Sequence, residues 1–159
     1  MIEGKLKGNT VVLDETEFYD RSWYGELKNR KNILNLLEAF HLAKEKKIDV
    51  YKGSKKLSLK DFLNICCEDS KFMSNYYVYS DLRERGLIVK VEKDSFLVYE
   101  RGSKKKKGNV EWIVFVTSED SECEIINLKK ISNNKVQAIW AVVDNDSDIT
   151  YYRVSEQNP

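Results

Sequence analysis

The side chains that carry acid–base or metal chemistry are few in this chain, and their spacing limits what it can catalyse. Its single histidine is His41, and its three cysteines, Cys66, Cys67 and Cys123, are an odd number without the spacing of zinc ligands. The carboxylates form no cluster with the spacing that a metal-dependent hydrolase needs. We therefore expect no metal ion and no other cofactor, and we expect the cysteines to be reduced, buried thiols.

A group of lysines is the remaining candidate for chemistry. Tyr99 lies in segment 96–102, which predicts a strand, and segment 111–114 predicts the start of the next strand. The loop between them holds four consecutive lysines, Lys104, Lys105, Lys106 and Lys107. Such a run either contacts nucleic-acid phosphates or forms a solvated hairpin loop, and both interpretations stay open.

Composition indicates the class of protein in which these residues act. The 159 residues suffice for one medium domain or two small ones, and 42% apolar with 33% charged residues is typical of a soluble, ordered chain. No apolar run approaches the roughly 20 residues that span a bilayer, and no signal-peptide pattern opens the sequence. We expect a cytoplasmic protein with no membrane partner. The net charge of +1 argues neither for nor against a nucleic-acid partner.

The elements that must position Tyr99 and the lysines fall into two predicted domains, and the fold class is α+β (mixed α/β). Residues 1–70 predict a small N-terminal α/β domain, and residues 71–159 predict a C-terminal domain with a central mixed sheet flanked by helices. The first domain has a hairpin at 4–13 turned at Gly8-Asn9, a short helix within 17–27, a helix at 33–47 with Asn32 as N-cap, a strand at 48–51, and a helix capped by Ser58. The second has helices at 73–85 and 125–131 and strands at 87–91, 96–100, 112–117, 136–143 and 149–154. The apolar run 112–117 predicts a strand buried on both faces.

Several segments, in the same order, resemble the archaeal tRNA-splicing endonuclease family. They are the helix–strand segment 79–90, the strand 97–102 with its Tyr-Glu-Arg-Gly sequence, the closing hairpin 142–152 and, more loosely, 37–40 and 57–63. The resemblance covers nearly the whole chain. It implies a nuclease-like C-terminal domain and a role in removing introns from precursor tRNA at bulge–helix–bulge sites, without a metal ion.

The resemblance also implies which residues would cut RNA. In the family the ribose 2′-OH attacks the adjacent phosphate, which requires a base, an acid at the leaving 5′-oxygen and a nearby cation; a tyrosine, a histidine and a lysine have these roles. The tyrosine matches Tyr99, and the histidine position, ten residues later, is occupied by Asn109, or by Val110 after a slip of one residue. The lysine position falls on Val136, or on Lys135 after a slip of one residue. Asparagine cannot deliver a proton, so the acid is missing and Tyr99 is either vestigial or an ordinary strand-end aromatic.

A chain without the acid suggests a division of labour. The family assembles from four nuclease-type units, of which two cut and two position, so we expect a structural subunit that pairs two-plus-two with a catalytic endonuclease subunit on precursor tRNA. Strand 149–154 matches the family's edge-to-edge interface strand, although an ordinary internal strand would look the same. An acidic loop matches the one that docks into a neighbouring subunit, although such a loop is also commonly just solvated. Its carboxylates are Glu119, Asp120, Glu122 and Glu124.

Two other hypotheses stay open. The chain is an active enzyme of the same family if Lys107 or Lys135 has taken over the acid role beside Tyr99. Alternatively, it is a stand-alone RNA-binding module that no longer takes part in splicing. In each hypothesis we expect His41 to be a packing residue of its helix.

Overall fold

Two sheets, each with its own helices, make up the described part of the chain and confirm the predicted α+β class. The computed structural model describes residues 1–100, 109–119 and 136–155, and the chain divides into units 1–73 and 74–159. Several predicted features lie outside the described residues: Lys104 to Lys107, Asp120, Glu122, Cys123, Glu124, the helix at 125–131 and Lys135. No helix within the described ranges is long and apolar enough to cross a bilayer.

The first unit is built on a six-stranded sheet with the order β3-β4-β2-β1-β5-β6. Only β1 and β5 run parallel to each other; the other neighbouring strands are antiparallel. The predicted hairpin at 4–13 and the strand at 48–51 are confirmed. The elements are β1 (Ile2–Lys7), β2 (Thr10–Leu13), α1 (Glu17–Ser22), β3 (Glu26–Lys28), β4 (Lys31–Asn35), α2 (Leu36–Lys44), β5 (Ile48–Lys52), β6 (Lys55–Lys56) and α3 (Leu59–Cys66).

Alternating apolar residues on the central strands form the core of this unit. Val11, Leu13 and Leu34 are buried beneath α2, whose Leu37, Phe40 and Leu42 are buried as well, while the side chains between them on the strands are partly exposed; Ile48 and Val50 continue the buried row on β5. This is the two-residue period of a half-buried strand. Ser58 caps α3 as predicted, accepting a hydrogen bond from the Asp61 amide at 3.1 Å.

The prediction of Asn32 as a helix N-cap is wrong. Asn32 lies within β4, paired with Leu13, and the helix begins three residues later with Asn35 as its N-cap. Asn35 and Glu38 form a capping box, in which the Asn35 side chain accepts from the Glu38 amide at 2.9 Å and Glu38 accepts from the Asn35 amide at 3.1 Å. Pairing with β2 extends β4 as far as Asn35. The strand pairing satisfies the backbone N–H and C=O groups that would be bonded internally if the helix began earlier.

The second unit carries a five-stranded sheet with the order β11-β10-β9-β8-β7, in which β9 and β10 are the parallel pair. Its helix α4 spans Phe72–Glu84, and Gly86 follows with a φ of +83°, as expected for a C′ residue. Tyr79 of α4 packs edge-on against Phe96, with ring centroids 6.0 Å apart. The strands are β7 (Ile88–Val91), β8 (Phe96–Tyr99), β9 (Val110–Ser118), β10 (Gln137–Val143) and β11 (Ile149–Val154).

Strand β9 is central in the sheet but is not buried on both faces as its apolar run predicted. Val114 is its one fully buried residue, and the other eight are partly exposed. One face of β9 meets the buried Phe96 and Val98 of β8 through the pairs Phe96–Val114 and Val98–Trp112. The continuous apolar run therefore produces one covered face and one face that stays half-exposed.

Candidate functional site

Three strand ends meet at one edge of the second sheet. Tyr99, Asn109 and Val136, the three positions that the family resemblance singled out, lie at these strand ends. β8 ends at Tyr99, while β9 begins at Val110 and β10 at Gln137. Because β8 is antiparallel to β9 and β9 is parallel to β10, the end of β8 and the starts of β9 and β10 lie at the same edge. The register pairs Tyr99 with Val110 and Gln137 with Trp112.

A β-bulge sits at this edge. Val98 pairs with Trp112 and Tyr99 with Val110, so Glu111 is an extra residue on β9 without a partner in the register. A bulge of this kind ends regular pairing and re-aims the neighbouring side chains, and such bulges are common beside active sites. Tyr99 is half-buried here, and Asn109, immediately before β9, is exposed.

The side chains at the described part of this edge are poor in proton donors and cations. The phenol of Tyr99 can exchange a proton, but the Asn109 amide cannot, and Val136 is apolar. The carboxylates of Glu100 and Glu111 are the charged groups among residues 99–100, 109–111 and 136–137. Within those residues, the edge offers one phenol and two carboxylates for acid–base chemistry, and no positive charge for a phosphorane.

Glu119, from the predicted acidic loop, lies at the opposite edge of the sheet, just after the end of β9. Its amide donates to the Val143 carbonyl at 2.8 Å, and its carboxylate accepts a hydrogen bond from the Asn145 amide at 3.2 Å. Asp144 accepts from the amides of Asp146 and Asp148, both at 2.9 Å, and so closes the turn between β10 and β11. The Glu119 carboxylate therefore supports that turn.

A polar cluster that sequence reasoning missed ties β11 to helix α4. The Tyr151 hydroxyl donates to Asp81 Oδ2 at 2.6 Å, and Arg85 Nε donates to the same oxygen at 3.0 Å. The Arg85 guanidinium also lies 5.8 Å from the centre of the Tyr151 ring. Burial raises the pKa of the Tyr151 phenol above its ordinary value, and the hydrogen bond to the Asp81 carboxylate adds to the increase. The i, i+4 spacing of Asp81 and Arg85 was readable, but their partner 70 residues away was not.

β11 is the outer strand of the described sheet and carries an exposed aromatic residue. Tyr152 is 49% exposed and packs against Trp140, with ring centroids 5.5 Å apart. The indole nitrogen of Trp140 donates to Thr117 Oγ1 at 2.8 Å. An edge strand with half-exposed aromatic residues has the character of a surface that pairs with another chain.

His41 belongs to the core of the first unit and not to the edge that carries Tyr99. It is 3% exposed, its Nε2 lies 3.3 Å from Glu45 Oε1, and its ring stacks on Tyr24 with centroids 6.2 Å apart. This is the environment of a packing residue on α2, as expected. No group of three or more metal-ligating side chains occurs among residues 1–100, 109–119 and 136–155.

Two family profiles match successive parts of the chain. The sequence profile of the tRNA intron endonuclease N-terminal domain matches residues 2–63, and that of the tRNA intron endonuclease catalytic C-terminal domain matches residues 72–151. The chain belongs to the tRNA intron endonuclease family.

Named relatives support the same assignment. The tRNA-splicing endonuclease of Thermococcus kodakarensis is 36% identical over 144 residues, which cover 86% of this chain and 84% of that protein. That of Thermococcus onnurineus is 33% identical over 165 residues, covering 96% and 95%. That of Methanococcoides burtonii is 37% identical over 143 residues, covering 87% of this chain but 41% of that protein. The chain thus spans most of some relatives and less than half of others.

Proposed function

We propose that this chain is a structural subunit of a heterotetrameric tRNA-splicing endonuclease that removes introns from precursor tRNA at bulge–helix–bulge sites. The observation that supports the proposal is the edge at which Tyr99, Asn109 and Val136 lie. By the resemblance, these are the positions of the family's tyrosine, histidine and lysine, and the last two hold an amide and an isopropyl group. The single histidine of the chain, His41, is buried in the other unit.

The loss of the acid has a large expected effect on the rate. A positioned general acid contributes roughly 10² to 10⁴ in rate, and the asparagine at 109 has no proton to give to the leaving 5′-oxygen. A missing cation at position 136 removes charge stabilisation of the transition state as well. A catalytic partner chain with both groups would restore the reaction, which explains why a family member can dispense with them.

Two described features support a role in assembly. The outer strand β11 is held in place by the Tyr151–Asp81 hydrogen bond, so its outer edge, which pairs with no strand of residues 1–100, 109–119 or 136–155, is a fixed surface for strand addition by a second chain. Glu119, at the end of β9, marks the start of the acidic loop that would dock into a basic surface of a neighbouring subunit.

The first experiment tests cleavage. Purified chain incubated alone with a bulge–helix–bulge precursor should give no product, and addition of a histidine-bearing paralogue should give 2′,3′-cyclic phosphate ends. Efficient cleavage by the chain alone would overturn the proposal and favour the alternative of a displaced acid. Lys107→Ala and Lys135→Ala variants would then show which lysine had replaced it.

A gain-of-function variant tests the same edge from the opposite direction. Asn109→His with Val136→Lys restores an acid and a cation beside Tyr99, so we expect cleavage by the chain alone to rise above background. The matched control adds Tyr99→Phe to the double variant and should lose the gain. An active control, or a double variant as inactive as the parent while folded, would contradict the assignment of this edge.

The second experiment tests assembly by native mass spectrometry with the paralogue. We expect a two-plus-two species that is weaker in a Glu119→Gln/Asp120→Asn/Glu122→Gln variant, with the largest difference from the unmodified chain at low salt, because added salt screens the charges of the unmodified loop. Glutamine at 119 keeps an oxygen for the Asn145 amide, so the turn is preserved while the charge is removed. Unchanged assembly would refute docking by the loop, and a chain that binds RNA but no paralogue would support the stand-alone RNA-binding module.

A further inference from the structure

We propose that one end of the N-terminal sheet binds the phosphate backbone of RNA through five exposed lysines, which we call the lysine corner: Lys5, Lys7, Lys52, Lys55 and Lys56. The choice of precursor tRNA as the RNA rests on the proposed function. The surface itself lies on the first unit, and not on the sheet that carries Tyr99.

The strand register brings these lysines together. Parallel pairing of β1 with β5 places Lys5 opposite Tyr51, and antiparallel pairing of β5 with β6 places Tyr51 opposite Lys56. β1 and β5 end at Lys7 and Lys52, so the turns that follow them lie at the same end of the sheet. The corner therefore spans three neighbouring strands and the two turns that leave them. Because paired residues share a face and successive residues alternate, Lys5, Lys7 and Lys56 lie on one face of this end and Lys52 and Lys55 on the other, so a bound RNA strand would cross the end of the sheet between them.

Most of the positive charge of the corner is uncompensated within the described part of the chain. Lys56 pairs with Asp49 at 3.3 Å, but no carboxylate of residues 1–100, 109–119 or 136–155 makes an ion pair with any of the other four lysines. Lys52 and Lys55 are directly opposite each other across the hairpin, where like charges destabilise pairing. The cost of this repulsion is recovered when a polyanion binds.

The charge is also unevenly distributed over the sheet. Further along the same two strands, toward the other end, Glu3 pairs with Asp49 in the register. Along β1 and β5 the carboxylates therefore come before the lysines. An extended anion would be attracted to the ends of these two strands and repelled from the carboxylates that precede them.

The turns at the corner are open to a backbone ligand. Gly8 and Gly53 both have positive φ, +60° and +62°, and a Cβ built on either would meet no atom within 4 Å. The space beside each glycine is therefore open, so a phosphate can approach the lysines at these turns. The lysine ammonium groups, each at the end of a flexible side chain, suit contacts with backbone phosphates, which are the same for every RNA sequence.

RNA fits this surface better than a protein does. Protein interfaces are depleted in lysine and enriched in aromatic and other large apolar side chains. The exposed large apolar residues of the described chain are Met1, Leu27, Leu59 and Tyr152, and none of them belongs to the corner or its turns. Local excess of lysine without an apolar centre is the pattern of a phosphate contact.

The test measures binding of the full chain to precursor tRNA by fluorescence anisotropy between 50 and 200 mM KCl. The variant is Lys5→Gln/Lys7→Gln/Lys52→Gln/Lys55→Gln, and the matched control replaces four exposed lysines elsewhere, Lys28, Lys60, Lys71 and Lys93, by glutamine. Four lost phosphate contacts should reduce the slope of log K against log salt by about 3. Raising KCl from 50 to 200 mM should therefore weaken RNA binding by the variant about 100-fold less than it weakens binding by the unmodified chain.

Each outcome is decisive. An unchanged slope, or an equal change in the matched control, overturns the proposal. A variant that keeps the slope but loses the complex with the paralogue shows that the corner binds protein, which also overturns it. The unmodified chain could also form no complex with the paralogue while the slope falls in the lysine-corner variant and not in the matched control. In that case the proposed function fails and the RNA surface stands. Removing the Lys52–Lys55 repulsion should leave the melting temperature unchanged or raised, so misfolding is readily recognised.

Discussion

Gly25 should tolerate no side chain, and Gly53 offers a matched control. Gly25 has a φ of +82°, and a Cβ built on it would overlap Asn32 Oδ1 and lie 2.9 Å from the Ile33 carbonyl oxygen. Gly53 has a φ of +62°, but its Cβ would meet nothing within 4 Å. Alanine at either site therefore adopts the left-handed conformation, whereas only alanine at 25 also meets the core.

The size of the difference follows from the contacts around Gly25. The left-handed conformation itself costs about 1 to 2 kcal/mol at either site. At Gly25 the displaced Asn32, which is 0% exposed, would lose its 3.0 Å hydrogen bond to the Tyr24 carbonyl, worth about 1 to 3 kcal/mol when the partner stays buried. A shift of the backbone would also weaken the 2.6 Å bond from the Gly25 amide to the Glu38 carboxylate, worth about 1.5 to 3 kcal/mol. We expect Gly25→Ala to cost about 4 kcal/mol and Gly53→Ala about 1 kcal/mol.

The assay is thermal and urea unfolding of the two variants. Amide hydrogen exchange is measured as well, at residues 1–73, which form the unit that holds both glycines. A difference of about 3 kcal/mol lowers the melting temperature of a unit of this size by roughly 12 °C or more. The double variant Gly25→Ala/Asn32→Ala should lose less than the sum of its single variants, because the clash is already relieved. Equal losses for Gly25→Ala and Gly53→Ala, or strict additivity with Asn32→Ala, would refute the reasoning.

Two further predictions concern ionisable side chains. Tyr151→Phe should cost about 1 to 2 kcal/mol, since Asp81 keeps only its arginine partner. In the unmodified chain, the raised pKa of Tyr151 leaves stability unaffected below pH 10 and lowers it above pH 10, where unfolded tyrosine ionises first. Urea unfolding at pH 9 and pH 11 should therefore show a larger fall in stability for the unmodified chain than for Tyr151→Phe, whose remaining fall includes the effect of buried Cys66. Burial, with a smaller effect of neighbouring Cys67, raises the pKa of Cys66 from 9.0 to about 12, so its thiolate fraction falls about 1,000-fold. A maleimide at pH 8 should label exposed Cys67 and spare Cys66 when the third cysteine is serine, and equal labelling of the two would contradict the buried position.

Local signals in the sequence were good guides to elements whose ends depend on nearby residues. The hairpin turn at Gly8-Asn9, the Ser58 cap and the C′ glycine Gly86 are all found where they were predicted. Each is decided within a few residues, by a glycine that adopts positive φ or a hydroxyl that accepts from an amide three positions ahead. The same rules also allowed a wrong choice between two asparagines, because Asn35 with Glu38 fulfils the capping box and Asn32 does not.

By itself, the sequence determined the family, the order of most strands and helices, and the residue types at positions 99, 109 and 136, because these depend on which side chains occur and how they are spaced. Only the tertiary structure brought those three positions to one edge, through a parallel strand pair and a bulge that no local pattern specifies. It likewise paired Tyr151 with Asp81. It also gathered lysines from β1, β5 and β6 at one corner. The physical reason is that strand register is set by long-range backbone pairing and burial, which sum over contacts between residues far apart in the chain.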